Sequence, residues 1–227
     1  MFKKQSYFAL LCLLILASTL SCAIHKARQK NAARVGELVP CSVQTAKDIT
    51  SDIPKNKSPK IILEVGAGSG AITHSIIKKM NEEDHLDLIE IEPILCEELQ
   101  ENFGQMKNVS IHCMDFLHFK PDYQYDYVVS TLPFNSFPAD LVKKLINHLV
   151  EVSKNGAYLG FVEFKFLPSL RTIGMDKGEK KEYKKTREVI KNFVALYGVA
   201  ENSIYLNFPP ILIFHLKIDK SKENLAR

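Results

Sequence analysis

From Glu64 to Gly70 the chain reads Glu-Val-Gly-Ala-Gly-Ser-Gly, with a glycine at every second position from Gly66. Glycines at the carboxyl end of a strand let the backbone turn tightly and come close to a ligand, because no Cβ intervenes. A helix that follows directs its N-terminal amides, and their partial positive charge, at the same ligand. The spacing is G-x-G-x-G, which differs from the G-x-G-x-x-G of dinucleotide-binding turns. About 20 residues on, Glu90 and Glu92 end a second apolar run, where doubly wound folds place an acid that accepts both hydroxyls of a ribose. Strand periodicity puts both acids on one face and keeps both as candidates. Asp115 and Phe116 follow a third run, and a fourth opens into VVSTLPFNSFP (128–138). There Ser130, Thr131, Leu132, Pro133 and Phe134 make a polar–leucine–proline–aromatic loop. Glu163 closes a fifth run.

The elements needed to hold these residues can be read from the alternation of patterns. KIILEV (60–65) is a β-branched run that ends in the glycine turn, after which Ile72, Ile76, Ile77 and Met80 recur at helical spacing. LDLIEIE (86–92) is a second buried strand, and Pro93 sets the start of the next helix. Val109–Cys113, Tyr125–Ser130, a helix from about Pro138 to Val152 and a strand over Ala157–Phe164 continue the series. Strand–helix alternation of this kind predicts an α/β fold, a parallel sheet with helices on both faces. Ser203–Asn207 and Ile211–Ile218 have no room for a helix between them, so they pair antiparallel or one lies at an edge. Residues 165–192 form a basic insertion, read as a solvated helix or as a face for anionic headgroups.

The combination of motifs resembles class I S-adenosylmethionine-dependent methyltransferases. That resemblance implies a Rossmann-like, mostly parallel seven-stranded sheet with an antiparallel C-terminal hairpin, and S-adenosyl-L-methionine as cofactor. It implies that Glu64, Gly66, Ala67, Gly68 and Gly70 face the amino-acid end of the cofactor. It aligns the ribose acid on Glu90, with Ile91 beside it, gives Asp115 the adenine amino group and sets Phe116 against the adenine ring. Ser130 borders both cofactor and acceptor. The loop over 130–134 resembles that of amino-group methyltransferases, in which backbone carbonyls and a polar side chain hold the accepting nitrogen. In rRNA adenine dimethylases it reads Asn-Leu-Pro-Tyr, whereas Thr131 and Phe134 stand here. The region is more similar to bacterial phospholipid N-methyltransferases, whose loop reads Ser-x-Leu-Pro with a further proline downstream. RVGELVPCSVQTA (34–46), Phe161–Leu170 and Asn207-Phe208-Pro209-Pro210 resemble other parts of that family, so the likeness runs over roughly residues 30–218. Cys41 and Thr131 depart from the serine and glycine usual there. The resemblance implies methyl transfer to the amine of phosphatidylethanolamine, towards phosphatidylcholine. It sets Ser130, Thr131, Leu132, Pro133 and Phe134 at the reaction, and Glu163 is the candidate for a general base. The alternatives are an rRNA adenine-N6 or protein methyltransferase, and a membrane-anchored module without catalysis.

The 227 residues suit one catalytic domain, over 35–227, preceded by an appendage over 1–34. With 30 basic and 26 acidic residues the chain is nearly neutral, which argues against a nucleic-acid partner, and no metal-ligand spacing stands out. No Asp or Glu precedes Glu37, and Tyr7 to Leu20 is almost continuously apolar, so the N-terminal segment is expected to be a membrane-seeking helix, spanning or lying in the interface, or a cleaved signal peptide. Lys26, Arg28, Lys30 and Arg34 after it outweigh Lys3 and Lys4 before it. That bias predicts a membrane-associated protein with a cytoplasmic catalytic domain, its partner a phospholipid membrane. Cys12, Cys22, Cys41, Cys96 and Cys113 read as free thiols in a reducing compartment, and a monomer is expected.

Overall fold

The computed structural model describes residues 42–56, 58–164, 174–204 and 210–225. Short helix α1 (Val43–Ile49) starts on Ser42, whose hydroxyl accepts from the Thr45 amide. The β-branched run becomes β1 (Ile61–Val65), and α2 (Thr73–Ile77) follows the glycine turn. Next come β2 (His85–Glu90) and α3 (Pro93–Phe103), with proline in the first helical turn, where a missing N–H does no harm. β3 (Val109–Cys113), β4 (Tyr125–Ser130) and α4 (Ala139–Val152) lead to the long β5 (Ser153–Phe164). α5 (Lys177–Tyr197), β6 (Gly198–Ile204) and β7 (Ile211–Lys217) complete the sheet.

The seven strands lie in the order β3-β2-β1-β4-β5-β7-β6. β1 to β5 are parallel, and β7 runs antiparallel between β5 and β6. Strand order reverses between β1 and β4, and in such sheets ligands bind outside the carboxyl ends of the strands at that point. The register aligns those ends: Val65 is level with Ile89 and Ser130, Glu90 with Cys113, and Ser130 with Phe161.

Each face of the sheet carries its own core. On one, Leu63, Val65, Val128, Leu159 and Phe161 pack under the α4 stripe Val142, Leu145, Ile146 and Leu149. On the other, Ile62, Leu86, Leu88 and Val129 meet Ile49 of α1, Ile76 of α2, and Leu99 and Phe103 of α3.

Several expectations are corrected. The basic stretch is not a wholly solvated face: from the capping box of Asp176 and Glu179 onward it forms α5, which buries Thr186, Ile190, Phe193 and Tyr197 on one side. β6 directly follows α5, earlier than the apolar pattern placed it, and residues 205–209 lie outside the described residues. Cys96 and Cys113 are joined in a disulfide, Cα–Cα 5.8 Å, instead of being free thiols, because the parallel register sets the end of β3 beside the first turn of α3. The expected membrane association is overturned: among the described residues no helix is long and apolar enough to cross a membrane. α5, at 21 residues, is long enough, but charged side chains interrupt its apolar positions. The hydrophobic segment with its basic flank, over 1–34, and the other three cysteines lie outside the described residues.

Candidate active site

Four strand ends converge on the crevice at the switch point. The turn after β1 has positive φ at Gly66, Gly68 and Gly70, a region that side chains disfavour. A Cβ on Gly66 would come within 3.1 Å of Thr131 Oγ1, so the turn and the β4 loop share that space. A Cβ on Gly68 would meet nothing within 4 Å, so the turn faces open space there, and Gly70 is packed against Phe103. The expectation that the loop amides and the next helix point outward is only partly met. Gly66 and Ala67 donate to Ile89 O at 2.8 and 3.1 Å, and α2 is just five residues long.

The acids divide their work. Glu90, at the end of β2, accepts from the Gly68 amide through Oε2 at 2.8 Å and from the Ile91 and Glu92 amides through Oε1 at 2.9 and 3.0 Å. It thereby ties the glycine turn to the second strand, and Oε2 keeps a lone pair for a ligand hydroxyl. Glu92, the rival candidate, precedes α3 and makes no side-chain cap bond. Glu64 is 1% exposed and accepts from Thr73 Oγ1 at 2.7 Å through Oε2, while its buried Oε1 has no hydrogen-bond partner among the described residues. Burial, opposed by the Thr73 bond and aided by the charge of Glu90, pushes its pKa up to about 8.

Asp115 follows β3, its Oδ1 taking the Leu117 amide at 2.9 Å. Phe116 turns into the core, its ring 4.6 Å from that of His148 on α4, so it does not present a face to the crevice. Ile91 is 52% exposed at the rim. In the β4 loop, buried Ser130 accepts from the Leu132 amide at 3.4 Å, and Thr131 donates its hydroxyl to Gly66 O at 2.5 Å. Leu132 and Pro133 are half-buried. Phe134 is buried, edge-on to Phe161 at 5.5 Å. Glu163, buried at the end of β5, accepts from Arg187 Nη1 of α5.

Sequence patterns alone did not show the braces. Thr73 holds Glu64, and two residues of α5 hold the loop after β4: Glu182 Oε1 accepts from Ala139 N at 2.9 Å and Thr186 Oγ1 donates to Phe137 O at 3.1 Å. A polar residue on the inner stripe of the basic stretch was the one available sign of Thr186. No group of three or more possible metal ligands occurs among the described residues.

Comparison with known proteins bears on this geometry. Residues 62–156 match a family described as a methyltransferase domain. The chain is 26% identical to an ornithine lipid N-methyltransferase of Singulisphaera acidiphila, over 54% of this chain and 67% of that protein. It is 28% identical to ribosomal RNA small subunit methyltransferase A of Borreliella burgdorferi, over 77% of this chain and 58% of that protein, so it spans less than two thirds of this relative's length. In fold it is similar to the N-methyltransferase NodS of Bradyrhizobium japonicum in complex with S-adenosyl-L-homocysteine, with a TM-score of 0.57 at 14% identity, covering 86% and 97% of the two chains.

The residues present fit S-adenosylmethionine. The cradle is open above Gly68, the orphan Glu64 oxygen suits a cationic amino group, and Glu90 and Asp115 stand at successive strand ends. The chain thus carries, over residues 62–156, a methyltransferase domain whose site suits S-adenosylmethionine.

Proposed function

We propose that the protein methylates the primary amine of a phospholipid headgroup, converting phosphatidylethanolamine towards phosphatidylcholine. The observation that carries this reading is the burial of Phe134 against Phe161. A nucleobase extruded into an active site is held by stacking on a side chain and by hydrogen bonds in its plane. Here the ring of the loop is withdrawn into the core and the Thr131 hydroxyl is bonded to Gly66. What is left to meet an acceptor is the half-buried pair Leu132 and Pro133 with the loop backbone, which suits a small aliphatic amine. The similarity to an ornithine lipid N-methyltransferase supports the same class of acceptor.

In this reading Glu64 takes the amino end of the cofactor, Glu90 with Ile91 the ribose and Asp115 the adenine amino group. When bound, S-adenosylmethionine supplies a sulfonium methyl that the unprotonated amine attacks in line, the N–C bond forming as the C–S bond breaks. An alkylamine has a pKa of about 10 in water, and its transfer against Leu132 and Pro133 favours the neutral form. The loop carbonyls then orient the lone pair, and positioning with exclusion of water supplies the acceleration. Glu163, the candidate base, is taken up by Arg187. The reading therefore assigns it no proton transfer, and the amine proton leaves to solvent.

The rRNA reading is favoured by the longer match to the ribosomal RNA enzyme. Radiolabelled S-adenosylmethionine offered with phosphatidylethanolamine in mixed micelles, and separately with unmethylated small-subunit rRNA, separates the two. Label in the lipid is the expected outcome; label in the RNA alone overturns the proposal.

A further inference from the structure

We infer that Arg187 binds the phosphate of the acceptor headgroup, with Glu163 as the positioning residue that orients it. The inference rests on the phospholipid reading above and names the group that recognises its anionic half. The Arg187 and Glu163 side chains are unequal in exposure, 46% and 2%. The carboxylate is sunk at the end of β5 while the guanidinium reaches it from the surface of α5. A guanidinium has five N–H donors in a planar fork. Glu163 holds the fork through Nη1, and the exposed edge remains able to meet an anion with charge-assisted hydrogen bonds.

The position fits the substrate. Ser130, where the acceptor loop begins, is level with Phe161 on β5. Glu163 stands two residues further along, about 6.6 Å beyond on the carboxyl side. An ethanolamine phosphate spans a similar length, with two carbons between its amine and its ester oxygen. Thr186, next to Arg187, is bonded to Phe137 O, and Glu182 to Ala139 N, so the helix carrying the guanidinium is fastened to the loop that would hold the amine. Lys184 and Lys191, three residues before and four after Arg187, are exposed and lie on the same side of α5, adding positive potential.

The test compares the full chain with Arg187→Gln and Arg187→Lys on two acceptors, a short-chain lysophosphatidylethanolamine and a primary alkylamine of equal chain length without phosphate. The expected result for Arg187→Gln is a KM about tenfold or more higher on the phosphate-bearing acceptor. Its kcat, its KM for the alkylamine and its affinity for S-adenosylmethionine should stay unchanged. Arg187→Lys should recover part of the loss, since it restores charge without the fork. An equal rise on both acceptors, or weaker cofactor binding, means a merely structural ion pair and overturns the inference. So does a loss of affinity for an rRNA hairpin with both amines unaffected. Calorimetry with glycerophosphoethanolamine separates this inference from the activity it rests on. Binding that Arg187→Gln abolishes, in a protein that methylates neither amine, keeps the phosphate site and removes the headgroup activity. No binding to the unaltered chain removes the site.

Discussion

Glu64 and Glu90 are both buried, yet they are held differently. Glu90 has three backbone amides, whereas Glu64 has one hydroxyl and an oxygen without a partner. Burial leaves Glu64 with a pKa of about 8, protonated at neutral pH. A cationic amino group brought to it favours the ionised form, so cofactor binding should release a proton and tighten as pH rises towards 8. The expected observation is an S-adenosylmethionine Kd that falls between pH 6 and 7.5, by at most about tenfold per pH unit, and a flat profile in Glu64→Gln. An equally steep profile in the variant would take Glu64 out of the cofactor site. Gly68 gives a blunter test. Its φ of +57° disfavours any side chain, and a carboxylate there would lie beside that of Glu90, whose Oε2 its own amide contacts. Gly68→Asp should abolish cofactor binding in calorimetry while the protein remains folded by circular dichroism.

At the scale of elements, α5 links the apolar core to the loop after β4. Thr186 is buried and its hydroxyl meets Phe137 O, so Thr186→Val keeps the shape and removes the bond. Leaving this part-buried carbonyl unpaired costs up to about 1–3 kcal/mol, part of which falls on the loop geometry. The expected result is a kcat lowered about tenfold with the cofactor Kd unchanged; a loss confined to thermal stability would show that the brace does not reach the reaction. The same helix marks where the sequence was legible and where it was not. The strands of the parallel half announced themselves because strands buried on both faces read as short apolar runs, and the glycine turn because only such a turn tolerates that spacing. α5 read as a charge run because lysines and glutamates on three sides hide a narrow stripe of Thr186, Ile190, Phe193 and Tyr197. Phe116 and Phe134 were placed by motif, and packing turned both inward, since an aromatic ring gains more from a core than from a rim. Asp87 gave no sign at all: in an apolar run it is a buried acid bonded by His112, Tyr123 and Tyr125, residues 25 to 38 positions away.

Across the whole molecule, the chain before β1 is fastened to its far end through His215. This residue of β7 is 163 positions from Asp52 and 167 from Asp48, yet its Nδ1 lies 2.5 Å from Asp52 Oδ2 and its Nε2 3.1 Å from Asp48 Oδ1. Asn202 of β6 donates to Asp48 as well. Two carboxylates facing the two ring nitrogens are both satisfied only when each nitrogen carries a proton. Accordingly the bond from Asp52 raises the His215 pKa above its usual value against the opposing effect of burial, and Asp48 adds to the rise. A histidine whose pKa is raised on folding contributes stability that is fully present below about pH 6.5, its unfolded value, and is lost as pH rises through the folded one. Gly160 shows how tightly this end is drawn in, because a Cβ there would lie 2.8 Å from Ile49 O of α1. Loosening the clamp should therefore release α1 from the sheet before the parallel half unfolds. The expected outcome is a Tm that declines from pH 6 to pH 9 in the unaltered chain and much less in His215→Gln. Hydrogen exchange should quicken first over residues 42–53. Glu64 also favours the folded state less as pH rises through 8, so the difference between the two proteins is what counts. A decline of the same slope in both would mean that the pH dependence arises elsewhere and that His215 acts in the clamp as a neutral ring.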